Sequence, residues 1–368
     1  MTFQIRTGKS RPQHKGNYQM TKMLRSTILA GAALAALATA LPAAARDLTI
    51  VGWGGAGQAA QDEVYFKPFA AKTGKPLIQE SWDGGYGVLQ AKMKAGAPNW
   101  DVVQVEAEEL ALGCADGIYE KLDWAKMGVK DEFLKDAVSE CGAGVIYWSM
   151  AMGYDGDKLK EGPKNWADFW DTKKFPGKRS LRKGAKYNLE FALLADGVKP
   201  AELYDVLSTP EGVDRAFKKL DELKPSIVWW EAGAQPIQFL ASGEVTVTSV
   251  YNGRVTGINK AEGKNFKLVW PESMYAVDSW VILKGAENKA LAQDFITFAS
   301  QAENQAKLPL KVDYGVPNTK AAATIPDEVQ KNLPTYPANL EHAIALNVDF
   351  WIDNSEALTE RFNAWLAQ

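Results

Sequence analysis

The sequence predicts an α/β protein built as two lobes that face a cleft, and three observations lead there. Short apolar runs with strand character alternate with stretches of helical periodicity, the pattern of a parallel or mixed sheet covered by helices. Setting aside an export-type N-terminus leaves 323 of the 368 residues, more than one hydrophobic core usually organises. No long low-complexity linker and no internal repeat interrupts them, so the chain is expected to pass between lobes through paired, sheet-like strands.

The elements follow in chain order. Lys22 and Arg25 precede an apolar run, Ser26 to Leu41, that closes in Pro42-Ala43-Ala44-Ala45. A positive start, a short Ala/Leu stretch and small residues at its end are what a signal peptidase reads, whereas a membrane span needs about 20 apolar residues. Residues 1–45 are therefore expected to be a signal peptide cleaved near Ala45, with 1–19 a misassigned start upstream of Met20 or Met23; a retained anchor is the alternative. No lipid-attachment Cys stands at the cleavage point, so the product is expected free in the periplasm, without membrane insertion.

Leu48 to Val51 reads as a first core strand breaking into a glycine turn, and Pro76 to Gln79, Asp101 to Val105, Val145 to Trp148 and Val245 to Val250 read as further strands. Asn165 is placed to cap a helix through Trp166-Ala167-Asp168-Phe169-Trp170, which Phe175-Pro176-Gly177 ends. Thr209 caps another, opened by Pro210, with Val213, Phe217, Leu220 and Leu223 at three- and four-residue spacing. Leu291, Phe295 and Phe298 repeat that stripe, and these apolar faces are read as core. Crossings are expected at Ala151–Asp155 and at Tyr251-Asn252-Gly253-Arg254. They give a first lobe of 46–152 plus 254–304 and a second of 153–253 plus 305–368.

The first 45 residues hold six basic side chains and no acid; the remainder carries 36 of the 42 basic residues against 45 acids, a formal net charge of −9. An acidic exported chain is not a nucleic-acid binder. Cys114 and Cys141 are the two cysteines, expected in an oxidising compartment to form a disulfide worth about 3 kcal/mol in the chain-entropy model. Two buried thiols are the alternative. His342 alone survives cleavage, which argues against a His-based triad or most zinc sites and leaves a structural histidine.

Several segments then carry a resemblance: Gly52-Trp53-Gly54-Gly55, Trp100-Asp101-Val102-Val103, the Asn165–Trp170 helix with its Gly177-Lys178 exit, Tyr251-Asn252-Gly253, Val277-Asp278-Ser279-Trp280 and Tyr314-Gly315-Val316-Pro317-Asn318. In their order and spacing the chain resembles periplasmic solute-binding proteins of the spermidine/putrescine type, the receptors of ABC importers. The resemblance implies a type II periplasmic binding protein with discontinuous lobes and a ligand in the cleft. It also implies a membrane permease with its ATPase as partner, and no cofactor.

Such receptors hold ammonium groups by carboxylates and sandwich alkyl chains between rings, since a ring face attracts a cation by about 0.5–2 kcal/mol. The resemblance places Trp53, Tyr251 and Trp280 at the cleft, and Trp82, Arg182, Trp229, Trp230 and Tyr314 form a second tier. Asp278 sits in an otherwise apolar strand, where an unpaired charge costs several kcal/mol, so it wants a cation: a ligand ammonium, or a neighbouring Lys or Arg. Glu106, Glu108 and Glu109 follow a strand at its C-terminal end, the edge where open α/β sheets bind ligands; a solvated helix start is the equal alternative.

One departure from the family pattern bears on the ligand. Polyamine binders carry an acidic cluster after the strand that follows the Trp-Ala-Asp helix, whereas this chain has Arg182-Lys183-Gly184-Ala185-Lys186-Tyr187-Asn188. Arg254 stands after Tyr251-Asn252-Gly253, and a guanidinium suits a carboxylate; pairing with a surface acid is the alternative. Arg254 at one end and Asp278 at the other describe a site for a zwitterion such as 4-aminobutyrate, with a polyamine as the runner-up ligand. A secreted hydrolase or lyase is the rival class, though no Gly-x-Ser-x-Gly elbow and no metal-ligand spacing supports it. A ferric receptor would be expected to show adjacent tyrosines late in the chain, and Tyr314 stands alone.

Overall fold

In order along the chain the strands are β1 (Leu48–Gly52), β2 (Leu77–Ser81), β3 (Val102–Val105), β4 (Gly142–Asp155), β5 (Arg179–Arg182), β6 (Ile227–Trp230), β7 (Val247–Tyr251), β8 (Phe266–Ile282) and β9 (Ile344–Ala345). The computed structural model describes residues 46–96 and 99–368, so the expected signal peptide over 1–45 lies outside the described residues. β1 and β3 are buried along their whole length, as strands covered by helices on both faces must be. β1 pairs in parallel with β2 and β3, and β5 pairs in parallel with β6 and β7. The two long strands join these groups: β3 runs antiparallel to β8, β8 to β4 and β4 to β7, while β9 pairs with β8. The result is one mixed sheet with order β2-β1-β3-β8-β4-β7-β5-β6.

β4 and β8 share a register slip in mid-strand. Met150 pairs with Met274 but Met152 with Val269, so Trp270–Ser273 of β8 bulge out, with Glu272 at φ 61°. The backbone N–H of Glu272 donates to the His342 carbonyl at 2.8 Å, and its carbonyl accepts from Trp166 Nε1 at 3.0 Å. The expectation for the first crossing, at Ala151–Asp155, falls at this slip in β4. The second differs from expectation. Val255 and Phe266 pack with Ile237, Leu240, Val245 and Val250 in a core of their own, so the chain beyond Arg254 stays with β5–β7 until β8 has passed its bulge.

The boundary expected at 305 differs as well. Gln305 Nε2 donates to the Gly144 carbonyl and Gly315 bridges to Tyr147, holding residues 305–315 against the N-terminal half of β4. The chain is back on the other half by helix Val348–Leu366, whose Phe362 and Trp365 pack edge-on against Trp229.

Local signals hold where their cause is local. Asn165 accepts from the Asp168 N–H at 2.9 Å and Thr209 from the Gly212 N–H at 3.0 Å, each capping its helix, and Phe217, Leu220 and Leu223 are buried. Cys114 and Cys141 are joined, their Cα atoms 5.7 Å apart. His342 is exposed. Among the described residues no helix is long and apolar enough to cross a membrane.

Candidate functional site

The glycine turn after β1 opens the site. Gly54 and Gly55 adopt φ of 65° and 60°, and a Cβ on Gly55 would lie 1.9 Å from Arg254 Nη1, so this position needs glycine for both backbone and space. Gly253 is confined too, since a Cβ there would meet the Tyr314 ring at 2.6 Å. Trp53 ends the turn stacked on Trp82, centroids 5.2 Å apart and planes 20° apart.

Trp53, Gly54 and Trp82 line a cavity between the two halves of the sheet, together with Gln104, Glu106, Trp148, Arg182, Trp230, Tyr251, Arg254, Asp278 and Tyr314. Its open space, mouth included, is about 730 Å³. Asp278, 2 % exposed, accepts from Trp53 Nε1 at 2.7 Å, Gln104 Nε2 at 2.7 Å and Trp148 Nε1 at 2.5 Å. All three donors are neutral. Burial first, and the nearby Glu106 charge second, push the Asp278 carboxyl well above the usual carboxylate range, against the pull of those hydrogen bonds.

Arg254, half-buried on helix Asn252–Glu262, reaches back with Nη2 to the carbonyls of Trp53 at 3.4 Å and Gly54 at 3.3 Å. Its buried Nε has no partner. Among the described residues neither Arg254 nor Asp278 makes an ion pair within 4.0 Å, so the alternatives of a neighbouring cation for Asp278 and a surface acid for Arg254 are not what the fold adopts. In the same lining Tyr251 meets Trp148 and Trp230 edge-on, at 5.2 and 5.9 Å.

Glu106 also lines the cavity, but its charge is taken: Lys186 Nζ lies at 2.6 Å and Arg182 Nη1 at 3.7 Å. Burial works to raise its carboxyl, yet the Lys186 and Arg182 charges outweigh it and hold the group below the usual range. Glu108 shares Lys186 at 3.1 Å. Glu109 closes a capping box on helix Ala107–Ala115 and also accepts from the Gly85 N–H at 2.6 Å; burial and Glu106 push it up to about 7.

Two expected residues are not brought to the cavity. Trp280 is buried against Phe66 and Phe295, with centroids 6.2 and 5.7 Å away, because it lies one pleat repeat beyond Asp278 on the same face of β8, deeper in the core. Trp229 points to the opposite face of β6 from Trp230 and packs on Phe362. Trp148 and Gln104 were missed. Gln104 had a signal, a lone polar residue within Val102-Val103-Gln104-Val105; Trp148 stood at the end of an apolar run and read only as strand.

The chain matches the family model described as bacterial extracellular solute-binding protein over residues 65–338. It is 49% identical to the gamma-aminobutyric acid-binding protein of Pseudomonas aeruginosa, covering 90% of this chain and 94% of that one. Among solved structures it is similar to the Atu4243-GABA receptor (TM-score 0.77, 36% identity, covering 88% of this chain and 98% of that one). It is also similar to the binding protein MotA of A. tumefaciens B6 in complex with glucopine (TM-score 0.81, 30% identity, covering 87% and 100%). With the two-lobed α/β fold and the cleft between its halves, these likenesses lead to one conclusion: the chain belongs to the bacterial extracellular solute-binding protein family.

Proposed function

We propose that this protein is the periplasmic receptor of an ABC importer and that its solute is a small linear amine bearing a carboxylate, with 4-aminobutyrate the favoured member. One observation carries the reading: Asp278 and Arg254 line the same cavity, and neither is neutralised by a protein charge. The solute's ammonium replaces no cation at Asp278. It adds a charge-assisted hydrogen bond to a carboxylate already oriented by Trp53, Gln104 and Trp148. Its carboxylate meets the guanidinium of Arg254, and the methylene chain lies along Trp53, Tyr251 and Trp230. The relatives named gamma-aminobutyric acid-binding protein and Atu4243-GABA receptor support this choice.

Closure is expected to turn about the slip in β4 and β8, since Trp270–Ser273 lie outside the regular ladder. The loaded receptor then docks on a membrane permease driven by its ATPase. Titration calorimetry of the mature protein is the test. Binding of 4-aminobutyrate with much weaker binding of putrescine supports the reading, and tighter putrescine or spermidine binding overturns it.

A further inference from the structure

A second cavity adjoins the first and shares Glu106 and Arg182 with it; Glu108, Glu109 and Lys186 line only the second. Lys186 comes from the loop after β5 on the far half of the sheet and inserts its ammonium between two carboxylates of the near half, 2.6 Å from Glu106 and 3.1 Å from Glu108. The arrangement is a two-carboxylate cation site already filled by the protein. It is also undersupplied: the buried Oε2 of Glu108 has no partner, and Arg182 approaches Glu106 no closer than 3.7 Å.

From this geometry we infer that Lys186 is a tethered stand-in for a second ligand ammonium and sets the receptor's specificity by occupying the place a linear diamine would use. Glu106 faces the solute cavity together with Asp278, so a diamine seated on Asp278 would carry its other charge toward Glu106 and Glu108. There it meets the Lys186 ammonium instead, a like charge held by both acids. A zwitterion needs nothing from Glu106 and is not excluded. The inference rests on the proposed zwitterion reading for its biological sense, but the exclusion itself is measured on diamines alone.

The experiment is titration of the mature full-length protein with putrescine, on the unmodified receptor, Lys186→Met and the double variant Lys186→Met/Glu106→Gln. The single variant should bind putrescine at least about tenfold tighter than the unmodified protein, an increment of about 1.4 kcal/mol. The double variant should lose that gain, because the freed acid is what captures the amine. Lys186→Gln carries the same expectation and guards against a folding defect peculiar to the methionine. Putrescine affinity unchanged by both single variants, or a gain that persists without Glu106, overturns the inference. A parallel titration of the unmodified protein with 4-aminobutyrate reports separately on the zwitterion reading.

Discussion

Replacing Arg254 with alanine removes the pole assigned to the solute's carboxylate. The guanidinium reaches two carbonyls, at 3.4 and 3.3 Å, with Nη2, and its Nε has no partner. Those contacts lie beyond the usual N–H···O range of about 2.7–3.2 Å, so the protein satisfies this side chain poorly and leaves its donors for a ligand. An exposed ion pair contributes only about 0–1 kcal/mol, but this one would form inside a ring-walled cavity at a half-buried guanidinium. Removing one partner of a buried, hydrogen-bonded charge pair costs about 2–5 kcal/mol. At about 1.4 kcal/mol per factor of ten, the lower bound is about 30-fold weaker binding of 4-aminobutyrate. Putrescine has no carboxylate to lose, so calorimetry should show the gap between the two ligands narrowing. Arg254→Lys should recover only part of the loss, because an ammonium is a point charge and cannot fork to both oxygens. A loss of 4-aminobutyrate affinity below about threefold, the value of a solvent-exposed pair, would refute the assignment.

Asp278→Asn should weaken 4-aminobutyrate as much as Arg254→Ala does. Burial favours the protonated Asp278 in the empty cleft whereas the bound ammonium favours the ionised one, so binding should release protons, read as a dependence of calorimetric heat on buffer ionisation enthalpy; no such dependence counts against the ammonium at this site. Gly55→Ala places a Cβ 1.9 Å from Arg254 Nη1 at φ 60°, so it should lower both ligand affinity and melting temperature; retention of both would contradict the geometry. Free-thiol labelling should find Cys114 and Cys141 unreactive, and replacing both with serine should lower denaturant stability by about 3 kcal/mol. Burial pushes Glu190, with Trp351 Nε1 at 2.7 Å, up to about 7, so the fold keeps a proton that the unfolded chain loses. Its contribution is full below about pH 4.3 and falls by up to about 1.4 kcal/mol per pH unit until about pH 7. The stability difference between the unmodified protein and Glu190→Gln should follow that slope, and a flat difference across the window would disprove it.

What could be read in the sequence had local causes. A helix cap is a side chain answering an N–H three residues on, so Asn165 and Thr209 announce their helices. The lone acid in the apolar stretch Val277–Trp280 marked a site for the same reason: a buried charge without a local partner points to something beyond the chain. Trp280 failed as a candidate because residue spacing reports which face of a strand a side chain takes, not how deep in the lobe it sits. Two residues along β8 separate a cleft residue from a core one, a distance of about 7 Å. The slip between β4 and β8 was not legible because a register slip is a relation between two strands, Met150 to Met274 and Met152 to Val269, that neither announces alone. The pairing of Glu106 with Lys186 spans 80 positions and was equally hidden, although Arg182 and Lys186 had been noted where an acidic cluster was expected.

The cleft sorts its charges into two kinds, and under the proposed function that sorting, rather than any single contact, selects the ligand. Glu106 and Glu108 are answered from across the cleft by Lys186 and Arg182, so the protein itself supplies their counter-charges. Asp278 and Arg254 are answered only by dipoles: indole and amide N–H groups for the one, backbone carbonyls for the other. A dipole orients a charge without cancelling it, so each pole keeps most of its attraction for an opposite charge arriving from solvent. The two open poles have opposite sign. A neutral zwitterion satisfies both at once, while a diamine satisfies Asp278 and sets a like charge against Arg254 or Lys186. Discrimination then comes chiefly from repulsion of the wrong ligand, which the protein pays for with one guanidinium left half-satisfied in the empty state.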